Sequence, residues 1–287
     1  MSTTSTQLYY SAPLVPGGRA DDWCIDAVSR PPEVLFNFRK VAVESEITDL
    51  RHGGLQPRLD VTGFERAVAP TRVDHRALAA KSEAALAQYQ EETAELLISL
   101  TGADEVEFFD ATVRREVSGE DRAAENQSAH QRVHVDQSAR SALARAEHHR
   151  AGRGFSRFQI VNTWRPLLRP VRNFPLAVCD FRSLDVATDL VPTRLDFPEW
   201  LRDRENYSVR HNPDHRWYYW DALTPDEALL FKCHDSASRD LAPDGAPGAG
   251  LADVAGLCPH TAFFDEDGPS TGHLRVSLEL RALLFHD

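Results

Sequence analysis

The chain has 287 residues, 42% of them hydrophobic, which is enough to bury a substantial core in one large domain. Its 32 Lys and Arg are outnumbered by 44 Asp and Glu, a formal net charge of −12, which argues against a broad nucleic-acid footprint and points to a small-molecule partner. Cys24, Cys179, Cys233 and Cys258 are scattered without a Cys-x-x-Cys spacing, which speaks against a zinc knuckle or a secreted disulfide framework and fits a reducing cytoplasm, and no apolar run is long enough to cross a bilayer.

In chain order, residues 1–40 carry Pro13, Pro16, Gly17, Gly18, Pro31 and Pro32 and read as an extended N-terminal arm packed on the main body. Val41 to Val43 reads as a short strand. Asp74 to Leu100 has apolar positions at helical spacing with no Gly or Pro and predicts one long helix. Val106 to Val113 predicts a strand, followed by a polar loop through Gly119 to Ser128, and Ser138 to His149 predicts a second helix. Further strands are expected at Phe158 to Thr163, Leu176 to Cys179, Trp217 to Trp220 and Ala228 to Cys233. Residues 241–256, rich in Gly, Pro, Ala and Asp, read as a mobile loop near the mouth of a cavity. The pattern predicts a mainly β fold with supporting helices, a jelly-roll (double-stranded β-helix, cupin-like) core forming a single domain over 1–287.

The chemistry concentrates at His134-Val135-Asp136. Residues two apart on a strand point to the same side, so His134 and Asp136 can reach one ion while Val135 packs behind them. Two imidazoles and one carboxylate on one face of a metal leave the other face open, the ligand set of non-haem Fe(II) oxygenases. With twelve histidines available, the motif alone selects no third ligand. His260 stands out because Arg275 and Ser277 follow it on a segment whose polar residues 275, 277, 279 and 281 alternate with Val276, Leu278 and Leu280. Such a face, turned inward, offers a guanidinium and a hydroxyl to a carboxylate.

These residues, with Ile160-Val161-Asn162-Thr163-Trp164-Arg165-Pro166-Leu167, Pro175 to Asp180, Trp217-Tyr218-Tyr219, Leu230-Phe231-Lys232, Asp235-Ser236, Pro259 to Phe263 and the early Leu59-Asp60 and Gly63-Phe64, resemble the Fe(II)/2-oxoglutarate-dependent hydroxylases and desaturases of secondary metabolism, the group that includes the cephalosporin methoxylation protein and the aspergillic-acid type enzymes. The likeness covers most of residues 30 to 285, and the Asn-x-Trp-Arg-Pro block is its most specific part.

The resemblance implies that His134, Asp136 and His260 hold Fe(II), with 2-oxoglutarate as cosubstrate and O2 as oxidant, in hydroxylating, desaturating or cyclising a small molecule, as in antibiotic biosynthesis. Arg275 with Ser277 is the expected receptor for the cosubstrate's distal carboxylate, against a plain cross-strand ion pair. Arg165 competes for that role against a structural ion pair, and Asn162 would orient the same group. Trp164, Tyr219, Lys232 and Asp235 are candidate substrate contacts, each set against core packing or a solvent-facing strand position. His130, four before His134, reads as a loop residue, and Cys258 as a buried thiol beside the ligand. Three alternatives stay open: an iron enzyme that does not use 2-oxoglutarate, a zinc hydrolase or isomerase on the same triad, and a non-catalytic binding barrel. Neither nucleic acid nor membrane is expected as a partner, and a homodimer is compatible with the sequence.

Overall fold

A computed structural model describes residues 2–31, 34–116, 129–197, 204–241, 253–266 and 275–287. The strands are β1 (Thr3–Ala12), β2 (Trp23–Asp26), β3 (Arg39–Asp49), β4 (Phe64–Val68), β5 (Glu105–Arg115), β6 (His134–Val135), β7 (Arg157–Pro166), β8 (Leu176–Cys179), β9 (Leu190–Asp196), β10 (Arg204–Val209), β11 (Trp217–Tyr219), β12 (Glu227–Asp235), β13 (His260–Ala262) and β14 (Val276–His286). The α-helices are α1 (Leu59–Thr62), α2 (His75–Ala79), α3 (Glu83–Thr101), α4 (Ala139–His149) and α5 (Val186–Asp189).

The strands form a nine-stranded sheet, ordered β1-β3-β11-β8-β13-β6-β10-β9-β2, and a five-stranded sheet, ordered β4-β12-β7-β14-β5. From β5 to β8, and again from β11 to β14, successive strands alternate between the two sheets. That winding is the double-stranded β-helix, the jelly roll expected from the sequence, and its interior is the space between the sheets.

Strand periodicity sets what faces inward. On β7, Phe158, Ile160 and Trp164 join the interior cluster with Phe231 of β12 and Val178 of β8, while Val161 turns outward. The outer face of the five-stranded sheet is covered in turn: Leu78 of α2 and Tyr89 of α3 pack with Leu278 and Leu280, and Leu97 of α3 packs with Ala282 and Leu284. β14 is therefore buried on both faces, apolar beneath the helices, with Ser277, Glu279 and Arg281 toward the interior as its alternation predicts and Leu283 and Phe285 joining the interior cluster beyond them.

Three expectations are refined. The predicted helix over 74–100 is two helices, capped by Asp74 on Arg76 N–H at the start of α2 and broken at Lys81, whose φ of +55° no helix accommodates. The arm over 1–40 is woven into the fold, since β1 and β2 form the two opposite edges of the nine-stranded sheet. The loops at 119–128 and, for residues 242–252, 241–256 lie outside the described residues; Leu241 and Ala255, which flank the second, are buried in the interior cluster. Gly63, at φ +87°, cannot be replaced without collision, because an added Cβ would stand 2.4 Å from the Leu257 carbonyl oxygen just before the His260 strand.

Candidate metal centre

β6 and β13 pair antiparallel in the middle of the nine-stranded sheet, with His134 and His260 directly opposite each other. This pairing, across more than a hundred residues of chain, brings the two imidazoles to a centroid separation of 4.5 Å. Asp136, just past β6, points to the same side as His134, with Oδ1 3.2 Å from His134 Nε2 and 3.9 Å from His260 Nε2. Among the described residues, these three are the group whose donor atoms converge as a metal ion requires, all within 4.8 Å of one another.

The donor set is prepared for a cation. His134 Nδ1 lies 2.7 Å from the Arg132 carbonyl and His260 Nδ1 3.1 Å from the Cys258 carbonyl. A carbonyl only accepts, so each Nδ1 carries the proton and each Nε2 presents its lone pair. Burial and the neighbouring His260 lower His134 to about 4, so its imidazole is neutral at pH 7, the form that ligates. Asp136 is held well below the ordinary carboxylate range: burial opposes ionisation, but the Arg281 guanidinium outweighs it.

Asp136 is also oriented. Its Oδ2 accepts from Asn162 Nδ2 at 2.8 Å and from Arg281 Nε at 2.8 Å, which leaves Oδ1 facing the imidazoles. Arg281 is shared further, with Nη1 2.5 Å from Asp110 Oδ2 on β5 and Nη2 2.6 Å from Glu279 Oε1. The sequence placed Arg281 on the correct face but gave no sign of its partner. Asn162, expected to orient a cosubstrate, instead orients the ligand carboxylate; its Oδ1 is buried without a hydrogen bond.

Arg275 lies in the same polar cavity as the triad, with His130, Arg114, Leu176 and Glu279 in its walls. It is 3% exposed, donates to Ser277 Oγ at 3.0 Å and to the Phe174 carbonyl at 3.0 Å, and sits 5.0 Å above the Trp164 ring. No carboxylate of the described residues lies within ion-pair distance of it, and burial together with the like charge of Arg114 lowers it to about 10. It is a buried cation short of an anion. The cavity itself measures about 20 Å³, room for little more than one water, so a keto acid enters only if side chains in its walls move apart.

Arg165 is not brought here. It lies on the other face of β7, where Tyr89 Oη, the Pro225 carbonyl and the Ala69 carbonyl accept its donors at 2.7, 2.5 and 2.6 Å. Lys232 and Asp235 are likewise remote from the cavity. Lys232 Nζ is buried between Asp60 Oδ1 at 2.5 Å and Asp235 Oδ2 at 2.6 Å, and Asp235 also binds Arg157 and Gln159, a structural ion cluster. Tyr219 is core, edge-on to Phe263 at 5.2 Å. Trp164 borders a small apolar cavity beyond Arg275. Cys258 is fully buried, and burial pushes its thiol well above the ordinary value, consistent with inert packing. His130 is a loop residue, as read, but its ring stands edge-on to His134 at 4.5 Å.

A family model described as an oxidoreductase/YMDC permease-like domain matches residues 27–285. The chain is 30% identical to the hydroxylase/desaturase efuI of Hormonema carpetanum, over 99% of this chain and 95% of that protein. It is 32% identical to the alpha-ketoglutarate-dependent dioxygenase tstK of Talaromyces stipitatus, over 69% of each. Among solved structures, the iron and alpha-ketoglutarate-dependent endoperoxidase NvfI shares the fold, with a TM-score of 0.79 at 22% identity over 99% of this chain and 98% of that one.

Proposed function

The chain belongs to the hydroxylase/desaturase family of oxidoreductases, and from that premise we propose that it is an iron(II)- and 2-oxoglutarate-dependent dioxygenase that oxidises a small molecule of secondary metabolism. One observation carries the reading. Two Nε2 lone pairs and one carboxylate oxygen converge beside a buried guanidinium that has no carboxylate of the described residues to pair with. We read residues 1–287 as one such domain.

His134, Asp136 and His260 would hold the iron, a reading supported by the convergence of their donor atoms within 4.8 Å of one another. Iron(II) with 2-oxoglutarate and O2 supplies the chemistry, coupling loss of CO2 from the keto acid to oxidation of a substrate C–H bond. Arg275, steadied by Ser277 and the Trp164 ring, receives the keto acid's distal carboxylate as a two-pronged donor. Asn162 and Arg281 keep Asp136 Oδ2 occupied, so that the carboxylate offers one oxygen and open positions remain for cosubstrate and O2. Phe231, whose ring stands 4.4 Å from His260, keeps that side of the centre dry. Among the described residues no helix is long and apolar enough to cross a membrane, and all four cysteines are free and buried, which supports a reducing compartment.

The test is an anaerobic titration of metal-free protein with Fe(II) and then 2-oxoglutarate, followed by visible absorption. A charge-transfer band of the chelated keto acid is expected, absent in His134→Ala and weakened in Arg275→Gln. Iron binding without the band would leave an iron enzyme that does not use this cosubstrate; no iron binding would overturn the proposal.

A further inference from the structure

Between α4 and β5 lies a cleft of about 380 Å³ whose walls include Phe109, Ser141, Arg145, His148 and Arg204. Its position follows from an irregularity in β5. Arg281 pairs with Asp110 and Ala282 with Phe108, so Phe109 is the extra residue of a β-bulge. The bulge breaks the alternation of the strand: Asp110 reaches inward to Arg281, while Phe109 turns its ring to α4, 4.1 Å from the Arg145 guanidinium. Asp110, next to Phe109 in sequence, is in turn linked to the metal ligands through Arg281 to Asp136.

The charge in the cleft is unbalanced. Neither Arg145 nor Arg204 has a carboxylate of the described residues within ion-pair distance, although acidic residues outnumber basic ones by 44 to 32 in the whole chain. Arg145 Nε is buried with no hydrogen-bond partner, and Asp110, a nearby acid, is engaged by Arg281. Burial and the like charge of Arg204 lower Arg145 to about 10, so the two guanidiniums repel each other in a partly dry site. The C-terminal end of α4 attracts cations and accounts in part for Arg145 and His148, but it does not account for Arg204, which β10 delivers.

We propose that this cleft seats the carboxylate of the oxidation substrate, with Arg145 and Arg204 as its receptors and Phe109, whose ring Arg145 already covers, as an apolar part of the wall and a support for Arg145. Two guanidiniums suit a planar anion, and an apolar wall beside them suits the carbon skeleton of an organic acid. That the anion is the substrate's own rests on the dioxygenase reading above; that the cleft binds an organic carboxylate does not.

The probes are benzoate and its neutral isostere benzamide, titrated into metal-free protein and followed by ligand NMR. Benzoate binding is expected, with benzamide at least tenfold weaker, and Arg145→Gln and Arg204→Gln should each weaken benzoate about tenfold, or 1.4 kcal/mol. Arg145→Lys, which keeps the charge but not the fork, should fall between Gln and the parent. Thermal melts of each variant confirm folding, and Arg204→Gln, a half-buried site, keeps the test alive if Arg145→Gln does not fold. Benzoate affinity unchanged in both Gln variants would overturn the cleft as a site. In a second arm, Mn(II) is added: broadening of the benzoate resonances that His134→Ala abolishes places the anion beside the metal. Benzoate bound through Arg145 and Arg204 but not broadened would overturn its assignment as the substrate seat. Failure of Mn(II) itself to bind would count against the metal reading and leave the benzoate arm to decide the cleft.

Discussion

Replacing Asn162 by Leu removes one donor from the ligand carboxylate while keeping nearly the same volume in a fully buried position. The Asn162 Nδ2 to Asp136 Oδ2 bond, at 2.8 Å, is a neutral donor to a charge, a class worth about 1.5–3 kcal/mol. Part of that is returned, because Asn162 Oδ1, buried without a partner, disappears with it. The Arg281 contact to the same oxygen survives, so Asp136 stays ionised but gains freedom to rotate about the remaining bond. The expected result is a loss of metal affinity of about 10- to 100-fold, typical when an outer partner of a ligand is removed, with stability of the metal-free protein lowered by no more than about 1–2 kcal/mol. Anaerobic calorimetry with Co(II) or Mn(II) reads the first quantity and urea unfolding the second. Asn162→Asp should be worse on both counts, since it sets a like charge against Asp136. Metal affinity within twofold of the parent in Asn162→Leu would refute the idea that Asn162 governs how Asp136 presents its oxygen.

The other predictions concern separate parts of the molecule. Arg275→Gln should raise the 2-oxoglutarate dissociation constant at least tenfold while Mn(II) affinity stays within twofold, and equal losses of both would dissociate Arg275 from the cosubstrate. Lys232→Met removes one of the two cations that hold the buried Asp235, Arg157 remaining, and should cost about 1–3 kcal/mol in urea unfolding without changing metal affinity. His234 is fully buried, both ring nitrogens lack partners, and burial lowers it to about 4. Its folded value is depressed, so the unfolded chain takes up the proton first: stability is intact above pH 6.5 and falls by about 3 kcal/mol as pH drops toward 4. His234→Phe should flatten that part of the stability profile, and an unchanged slope would remove His234 as its source.

Much of this was legible in the sequence for identifiable reasons. The α4 helix was readable because Ser138 caps it and its alanine stripe faces the core, and the polar face of β14 because alternation survives whatever covers the other side. The break at Lys81 was hidden, since no residue there forbids a helix and only the path of the chain demands the turn. β1 escaped notice because a Thr- and Ser-rich edge strand is exposed on alternate residues and looks like a loop. Arg165 and Lys232 sit in the most distinctive blocks, yet a block fixes residue types and not the side to which each points. Adjacent residues on a strand face opposite ways, so Trp164 meets Arg275 while Arg165 meets Tyr89. The Arg281 to Asp136 pair joins positions 145 residues apart, and no local pattern reports it.

The strand order has a consequence for how the protein is made. β14, last in sequence, lies between β7 and β5 in the interior of its sheet, and it carries Ser277, Glu279 and Arg281. While the ribosome still holds those residues, β5 and β7 each present an unpaired edge, and the sheet has a gap between them where β14 belongs. Such edges recruit strands from other chains, so the nascent protein is prone to aggregate until β14 has emerged. Chaperone dependence should therefore fall once β14 is available, and completion of the sheet and completion of the Asp136 clamp become one and the same event.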